Sequence, residues 1–435
     1  MSSIKDLIAE SYLLRRSYVA ADLVEAINNL AKHTKVAYKD YTFKSGLEHN
    51  GWVVPSDWSV SEAKIYKDNT LIYDGMLHPL SVITQSASFT GKITLQELKK
   101  HLYFAPRKPH AIPFHFRLSY RPWQKEWGFC LPKNVFDSLA PGEYDVKLNT
   151  TEKPGEMVVR EFTIPGKSKE TIVFAAHIDH PGMCNDDLAG CAVGVSLLNA
   201  IKKQFKKTKY TYKLILVQEI VGSVFYLNAL TTEELKNIKY SLFLEMLGND
   251  NTINLQKSFL GNTYIDAVCT TALNSLKNLY RVCSFRESAG NDEIVFEAPG
   301  YEIPMPSISR WPYDEYHTSD DNLEIIHEDK LQESLEYLLN IVFILENDVY
   351  VKRTFTGIVS LANPKYDLYI DPGQIFTGGL HQNNNATQFQ YMMPRLLDGT
   401  CKISELAQKF NLDFSWLFNY LNKMKEKGLV LFLEK

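Results

Sequence analysis

The sequence predicts an α/β protein with a mainly parallel central sheet, an inserted β-rich domain and a C-terminal winged helix-turn-helix. Three observations predict it. Between about 155 and 350, short β-branched and aromatic runs (EMVVREFTI, TIVFAA, YKLILV, YSLFLEM) alternate with helix-like segments, the pattern of a sheet wound with helices. Residues 50–150 instead carry short runs bounded by turn signals, such as WVVP, HAIPFHF, WGFCLP and LAPGEYDV. The last 85 residues end in the order helix, turn, helix, Gly, short strand: KISELAQKF, DFSWLFNYLNKMKEKG, LVLFLEK.

Taken in order, residues 1 to about 45 read as helical, with Leu7, Leu13, Leu14, Leu23, Ile27 and Leu30 near one stripe. KDNTLIYDG reads as a hairpin inside the β-rich stretch. Four of the six tryptophans (Trp52, Trp58, Trp123, Trp127) fall in that stretch. They either fill a small β core, the stronger reading, or line a cleft. DLAGCAVGVSLLNAIKK and LQESLEYLLNIVFIL have the apolar spacing of helices that cover a sheet. The expected division is therefore 1–50 with 151–350 as the α/β domain, 51–150 as the insertion and 351–435 as the winged-helix domain.

Composition narrows the class. Of 435 residues, 45% are apolar and 23% charged, with 24 Tyr and 23 Phe, enough for a large core. A net charge of −4 argues against nucleic acid as the partner of the whole chain. Residues 401–435 hold six Lys against four Asp or Glu, a weak basis for reading DNA, so packing or homodimerisation is the expected role there. Cys130, Cys184, Cys191, Cys269, Cys283 and Cys401 form no CxxC and no dense framework. They read as buried free thiols of a reducing compartment. The N-terminus lacks a signal-peptide pattern and no run of 18 apolar residues exists, so the expectation is cytoplasmic, without a membrane span.

The chemistry collects in TIVFAAHIDHPGMCNDDLAG, residues 171–190. A strand runs into His177, Asp179 and His180, and Asp186 and Asp187 open the next helix. Ligands in open α/β sheets bind at strand C-termini because the loops there converge. His177 offers an imidazole nitrogen to a metal, Asp179 can fix its ring, and Asp186 can bridge two cations. The alternative is that Asp186 or Asp187 merely caps the helix. Two further strand ends carry carboxylates, Glu219 after Gln218 and Glu245 before Met246, and EYHTSDDN supplies His317. A carboxylate directly after a buried strand is costly unless paired or bound to a cation. His and carboxylate ligands with open positions suit catalytic zinc.

HxD, NDDxxG, a Glu-bearing strand end, LEMLG and YHTSxDN, in that order, resemble the co-catalytic di-zinc aminopeptidases. The chain resembles more closely the bacterial aminopeptidase-like proteins found among polysaccharide-biosynthesis genes, a likeness that extends through GWVVPSDWSVSEA, LHPLSV, WGFCLP and the C-terminal tail. The resemblance implies one or two zinc ions, one on His177 and Glu245, the other on Glu219 and His317, with Asp186 bridging. His180 is an alternative ligand. It also implies Glu-Glu where this chain has Gln218-Glu219, the first Glu being the general base. Gln218 cannot accept a proton from water. Asp292 falls where relatives place an acidic residue near the metals, and Glu293 is the candidate replacement base; the alternative is a solvated loop pair. The resemblance implies a zinc-dependent amide hydrolase acting on a peptide or an amide-bearing amino sugar. The rival expectation is a non-catalytic binding or scaffold protein that keeps the fold.

Overall fold

The computed structural model describes residues 3–276, 278–370 and 385–434. Two compact units emerge, Met1–Gly261 with Arg281–Leu335, and Asn262–Tyr280 with Glu336–Lys435.

The first unit is built on an eight-stranded sheet. At its centre Thr171–His177 is buried at every position. Thr211–Val217 and Ile238–Leu244 run parallel to it on either side, and Ser307–Ser309 continues the parallel block. Beyond this block the pairing reverses. Glu156–Ile164 is antiparallel to Thr211–Val217, Ala37–Lys44 to Glu156–Ile164, and Ile253–Gln256 to Ser307–Ser309. The sheet is thus mixed, where the sequence predicted a mainly parallel one. Parallel neighbours need a helical crossover; Gly190–Gln204 stands between Thr171–His177 and Thr211–Val217, and Val221–Ala229 between Thr211–Val217 and Ile238–Leu244.

Ala37–Lys44 also corrects the expectation of helix up to residue 45. Its Tyr41 and Phe43 alternate with exposed neighbours and are the two buried positions of the strand. They pack into a core with Val173, Ala175, Ile215, Phe225, Tyr226 and Phe243. Helices Ile4–Ala9 and Ala21–Lys32 precede the strand.

The register aligns the strand ends that matter. His177 pairs with Val217, and Ala175 with Phe243. The residues that follow these strands therefore emerge side by side at one sheet edge, as the parallel topology requires.

Within the same unit, a four-stranded antiparallel sheet holds Asp57–Lys67, Thr70–Asp74, Phe89–Thr94 and Glu143–Lys153. The predicted hairpin turns at Asp68 and Asn69, both with positive φ (48° and 62°), as a two-residue connection favours. Trp58, Ile65, Phe129, Tyr144 and Val146 form a core of their own, with Trp127 stacked between Phe89 and His101. Trp123 is exposed.

The second unit contains helix Tyr264–Leu273 and a three-stranded antiparallel sheet of Asp398–Lys402, Tyr350–Arg353 and Val430–Leu433. Helices Ile403–Lys409 and Phe414–Glu426 lie between its last two strands in sequence. Buried Asp348 ties the unit together: it accepts hydrogen bonds from Ser404 N (2.9 Å), Ser404 Oγ (2.7 Å) and Tyr264 Oη (2.8 Å). Among the described residues, no helix is long and apolar enough to cross a membrane.

Candidate metal centre

The strand Thr171–His177 delivers His177 into the interior, where its side chain is wholly buried. The following loop is shaped from beneath by Arg16. This buried guanidinium donates to Ile178 O (2.9 Å), His180 O and Met183 O (3.0 Å), and to Ser11 O and Tyr12 O behind it. Burial pulls its pKa down to about 10, so it stays protonated at neutral pH. From the other side, Asp321 accepts from the backbone N–H groups of Cys184 (3.1 Å), Asn185 (2.6 Å) and Asp186 (3.1 Å), and from Tyr313 Oη (2.8 Å). Burial, with the charge of Asp186 adding to it, pushes Asp321 up to about 7.

The loop so held presents Asp186 to three imidazoles. His177 Nε2 stands 3.0 Å from Asp186 Oδ1; His317 Nε2 and His180 Nε2 stand 3.2 and 3.8 Å from Oδ2. Asp179 lies behind two of the rings, 3.6 Å from His177 Nδ1 and 3.2 Å from His180 Nδ1. Glu219 Oε2 is 3.5 Å from His180 Nε2. These short separations are not hydrogen bonds of good alignment. His177 Nδ1 and Nε2, His180 Nδ1, His317 Nε2 and Asp186 Oδ2 are all buried without a hydrogen-bond partner. Lone pairs that approach yet do not point at one another fit a cation placed between them. Ligand atoms of His177, His180 and Asp186, and of Asp179, His180 and Glu219, each converge within 4.8 Å. The donor set, imidazole and carboxylate without thiolate, fits zinc.

Electrostatics agree. Burial opposes charge on Asp186, but His180, His177 and His317 outweigh it and hold the carboxyl well below its ordinary range. Burial likewise opposes charge on His177, yet Asp179 and Asp186 raise it well above its ordinary value.

Asp187 does the structural work that the helix-cap reading foresaw. Its Oδ1 accepts from Gly190 N and Met246 N, both at 2.9 Å, joining the helix start to the next strand end. Glu245 is buried nearby; its Oε1 accepts from Asn291 Nδ2 at 2.8 Å, and Oε2 has no hydrogen-bond partner. Asp292 is fully buried and accepts from Ile220 N at 3.0 Å; burial pushes it up to about 7. It is no solvated loop residue.

Gln218, at the position where relatives carry the base, and Glu293, its candidate replacement, both bond to neighbouring residues. Gln218 is buried with its Nε2 donated to Val158 O at 2.9 Å. Its Oε1 is buried without a hydrogen-bond partner, and an amide cannot accept a proton from water. Glu293 is not a free base either. Its Oε2 takes the Asn291 N–H (2.7 Å), and Oε1 takes Gln256 Nε2 (3.1 Å) and Arg286 Nη1 (3.3 Å). Burial raises its pKa above the ordinary value, but both of its oxygens are turned to these donors.

Sequence reasoning missed Arg16, Asn291 and Asp321, although Asp321 lies within the EYHTSDDN stretch. It also missed the aromatic cover. Phe114 packs 4.9 Å from His180 and 5.4 Å from His317, Phe116 lies 5.2 Å from His317, and Tyr316 stacks on His317 at 3.8 Å between ring centres. Phe114 N donates to His317 O at 2.9 Å, and Pro113 forms a β-bridge with Thr318. The pocket against Asp179, His180 and Glu219, bounded by Tyr18, Phe114 and Phe116, has about 10 Å³ for water-sized occupants, roughly one water.

Comparison with known proteins places the fold. The chain is 28% identical over 416 residues to a polysaccharide biosynthesis protein with an aminopeptidase-like domain from Clostridium acetobutylicum, covering 94% of this chain and 92% of that one. A crystal structure from C. acetobutylicum, described as a peptidase, superposes with TM-score 0.85 at 26% identity over 99% of this chain and 96% of that one. A zinc aminopeptidase from Bacillus subtilis shares the fold, with TM-score 0.57 at 15% identity over 79% of this chain and 94% of that one. Residues 5–348 match the family described as a domain of unknown function, DUF4910, and the chain belongs to that family.

Proposed function

We propose that the protein is a zinc-dependent amide hydrolase of aminopeptidase type. The observation that carries this reading is the convergence of His177, His180 and His317 on buried Asp186, with His177 Nε2, His317 Nε2 and Asp186 Oδ2 unpartnered. His177 and Glu245 would hold metal on the Oδ1 side of Asp186; His317, Glu219 and His180 would hold it on the Oδ2 side. Zinc there supplies a polarised carbonyl and a bound water acidic enough to ionise near neutrality.

The chain's own groups do the rest. Asp179 stands 3.6 and 3.2 Å from the Nδ1 atoms of His177 and His180, where its charge would steady both imidazoles. Glu219, with 22% of its side chain exposed, is far more open than Asp179 or Asp186. With Gln218 unable to accept a proton and Glu219 facing the metal, turnover without a dedicated general base should be slow. Phe114 and Phe116 exclude water from the site. We read the substrate as a peptide or an amide on an amino sugar; the name of the C. acetobutylicum relative supports the sugar. We also read residues 51–150 as an insertion and the C-terminal helices and strands as a winged helix that packs rather than reads DNA.

The test is a zinc titration by calorimetry followed by assays on aminoacyl anilides and N-acylated amino sugars. Micromolar or tighter binding, lost on His177→Ala and Asp186→Ala, with slow turnover that needs Glu219, is the expected result. No binding at micromolar zinc sinks the proposal. Zinc binding without turnover on any substrate favours the scaffold reading.

A further inference from the structure

Both glutamates at the site are held by neighbouring residues of one short loop. Asn291 Nδ2 donates to Glu245 Oε1. Glu219 begins a γ-turn: Val221 N donates to Glu219 O at 2.7 Å, and Ile220 between them has φ 61° and ψ −56°. A β-branched residue rarely adopts that strained conformation, and it persists only when surrounding groups hold it. Here the Ile220 N–H is taken by Asp292 Oδ1 at 3.0 Å, and Tyr18 Oη donates to Glu219 O at 3.2 Å. At this turn the chain sends Gln218 toward Val158 and Glu219 toward His180. The next loop residue, Glu293, is fastened by Gln256 and Arg286 and receives the Asn291 N–H. Asn291, Asp292 and Glu293 are all buried.

We propose that Asn291-Asp292-Glu293 is a positioning element for the metal-facing carboxylates. Asn291 orients Glu245, Asp292 pins the γ-turn that aims Glu219, and Glu293 anchors the loop. The inference rests on the metal reading above. A glutamate has several rotatable bonds, so a ligand fixed before the metal arrives loses less freedom on binding it.

Zinc alone is the probe, measured by calorimetry on the full chain, with thermal unfolding of the metal-free protein as the control for folding. Asp292→Ala should weaken zinc binding about 10- to 100-fold, the usual range for groups that support ligands. Asp292→Asn, whose side-chain oxygen still accepts the Ile220 N–H, should keep most of the affinity. In a Glu219→Gln background Asp292→Ala should add little, whereas in a Glu245→Gln background its effect should multiply in full. Asn291→Ala should show the opposite dependence. Should Asp292→Ala fail to fold, the Asp292→Asn and Asn291→Ala arms still decide. Zinc binding by wild type with every double variant fully multiplicative, or Asp292→Asn as damaging as Ala, overturns this inference alone. Wild type that binds no zinc overturns the metal reading and this one with it.

Discussion

The ligand-bearing loop at 178–186 and the covering segment at 111–119 both face His180 and His317, but they are held by different means. The loop is gripped from two sides by buried ionisable groups, the Arg16 guanidinium on its carbonyls and the Asp321 carboxyl on its N–H groups. The cover is tied by neutral, part-exposed bonds: Phe114 N to His317 O, Ile112 N to Ser319 Oγ and Ser319 N to Ile112 O, each at 2.9 Å. Charge-assisted bonds in a buried setting are roughly twice as strong as neutral ones, and segments with few buried contacts open first. The molecule thus separates two properties. On the proposed function, metal affinity should depend on the gripped loop and access on the more lightly tied cover.

The sharpest way to break this comparison is at Arg16. Arg16→Met should cost about 3–5 kcal/mol, because carbonyls of Ser11, Ile178, His180 and Met183 lose their donor inside the protein. Chemical denaturation of the metal-free protein measures it, and a loss under 1 kcal/mol would show that the loop holds its own shape. Asp321→Asn should fold but bind zinc about 10- to 100-fold more weakly, since three N–H groups lose a carboxyl acceptor while no ligand is removed. Unchanged affinity would make Asp321 a bystander.

Acid should act through the loop as well. In the metal-free protein burial opposes protonation of His177 and His180, but Asp179 and Asp186 raise both above the ordinary value. Zinc must displace those protons, so affinity should rise with pH and fall as pH drops, by up to about tenfold per pH unit for each proton released. Calorimetry in buffers of different ionisation enthalpy counts the protons; zero released contradicts the arrangement. The smallest expected effect is at the cover. Phe114→Ala should leave equilibrium zinc affinity nearly unchanged and speed metal release to a chelator. A large affinity loss there would mean that the cover, too, shapes the ligands.

Much of this was legible in the sequence. Apolar runs ending in His177, in Glu219 and in Glu245 marked three strand ends of one sheet, because a buried strand followed at once by a polar ligand is unusual enough to read locally. Asp186 and His317 were pointed to by the motifs NDDxxG and YHTSxDN that carry the family resemblance. The edges of the sheet were not: Ala37–Lys44 pairs with Glu156–Ile164, more than 100 residues further along the chain, and no local pattern states a partner that distant.

Residue types and their order along the chain therefore determined the α/β core and the atoms able to bind a metal. Tertiary structure alone decided which of them face one another. Gln218 and Glu219 are adjacent in sequence, yet the γ-turn at Ile220 sends one to a backbone carbonyl and the other to the cluster. Arg16, Phe114 and Asp321 reach the site from three distant stretches. A side chain's direction depends on a few backbone angles and on partners brought close only by folding, and neither is written in residue identity.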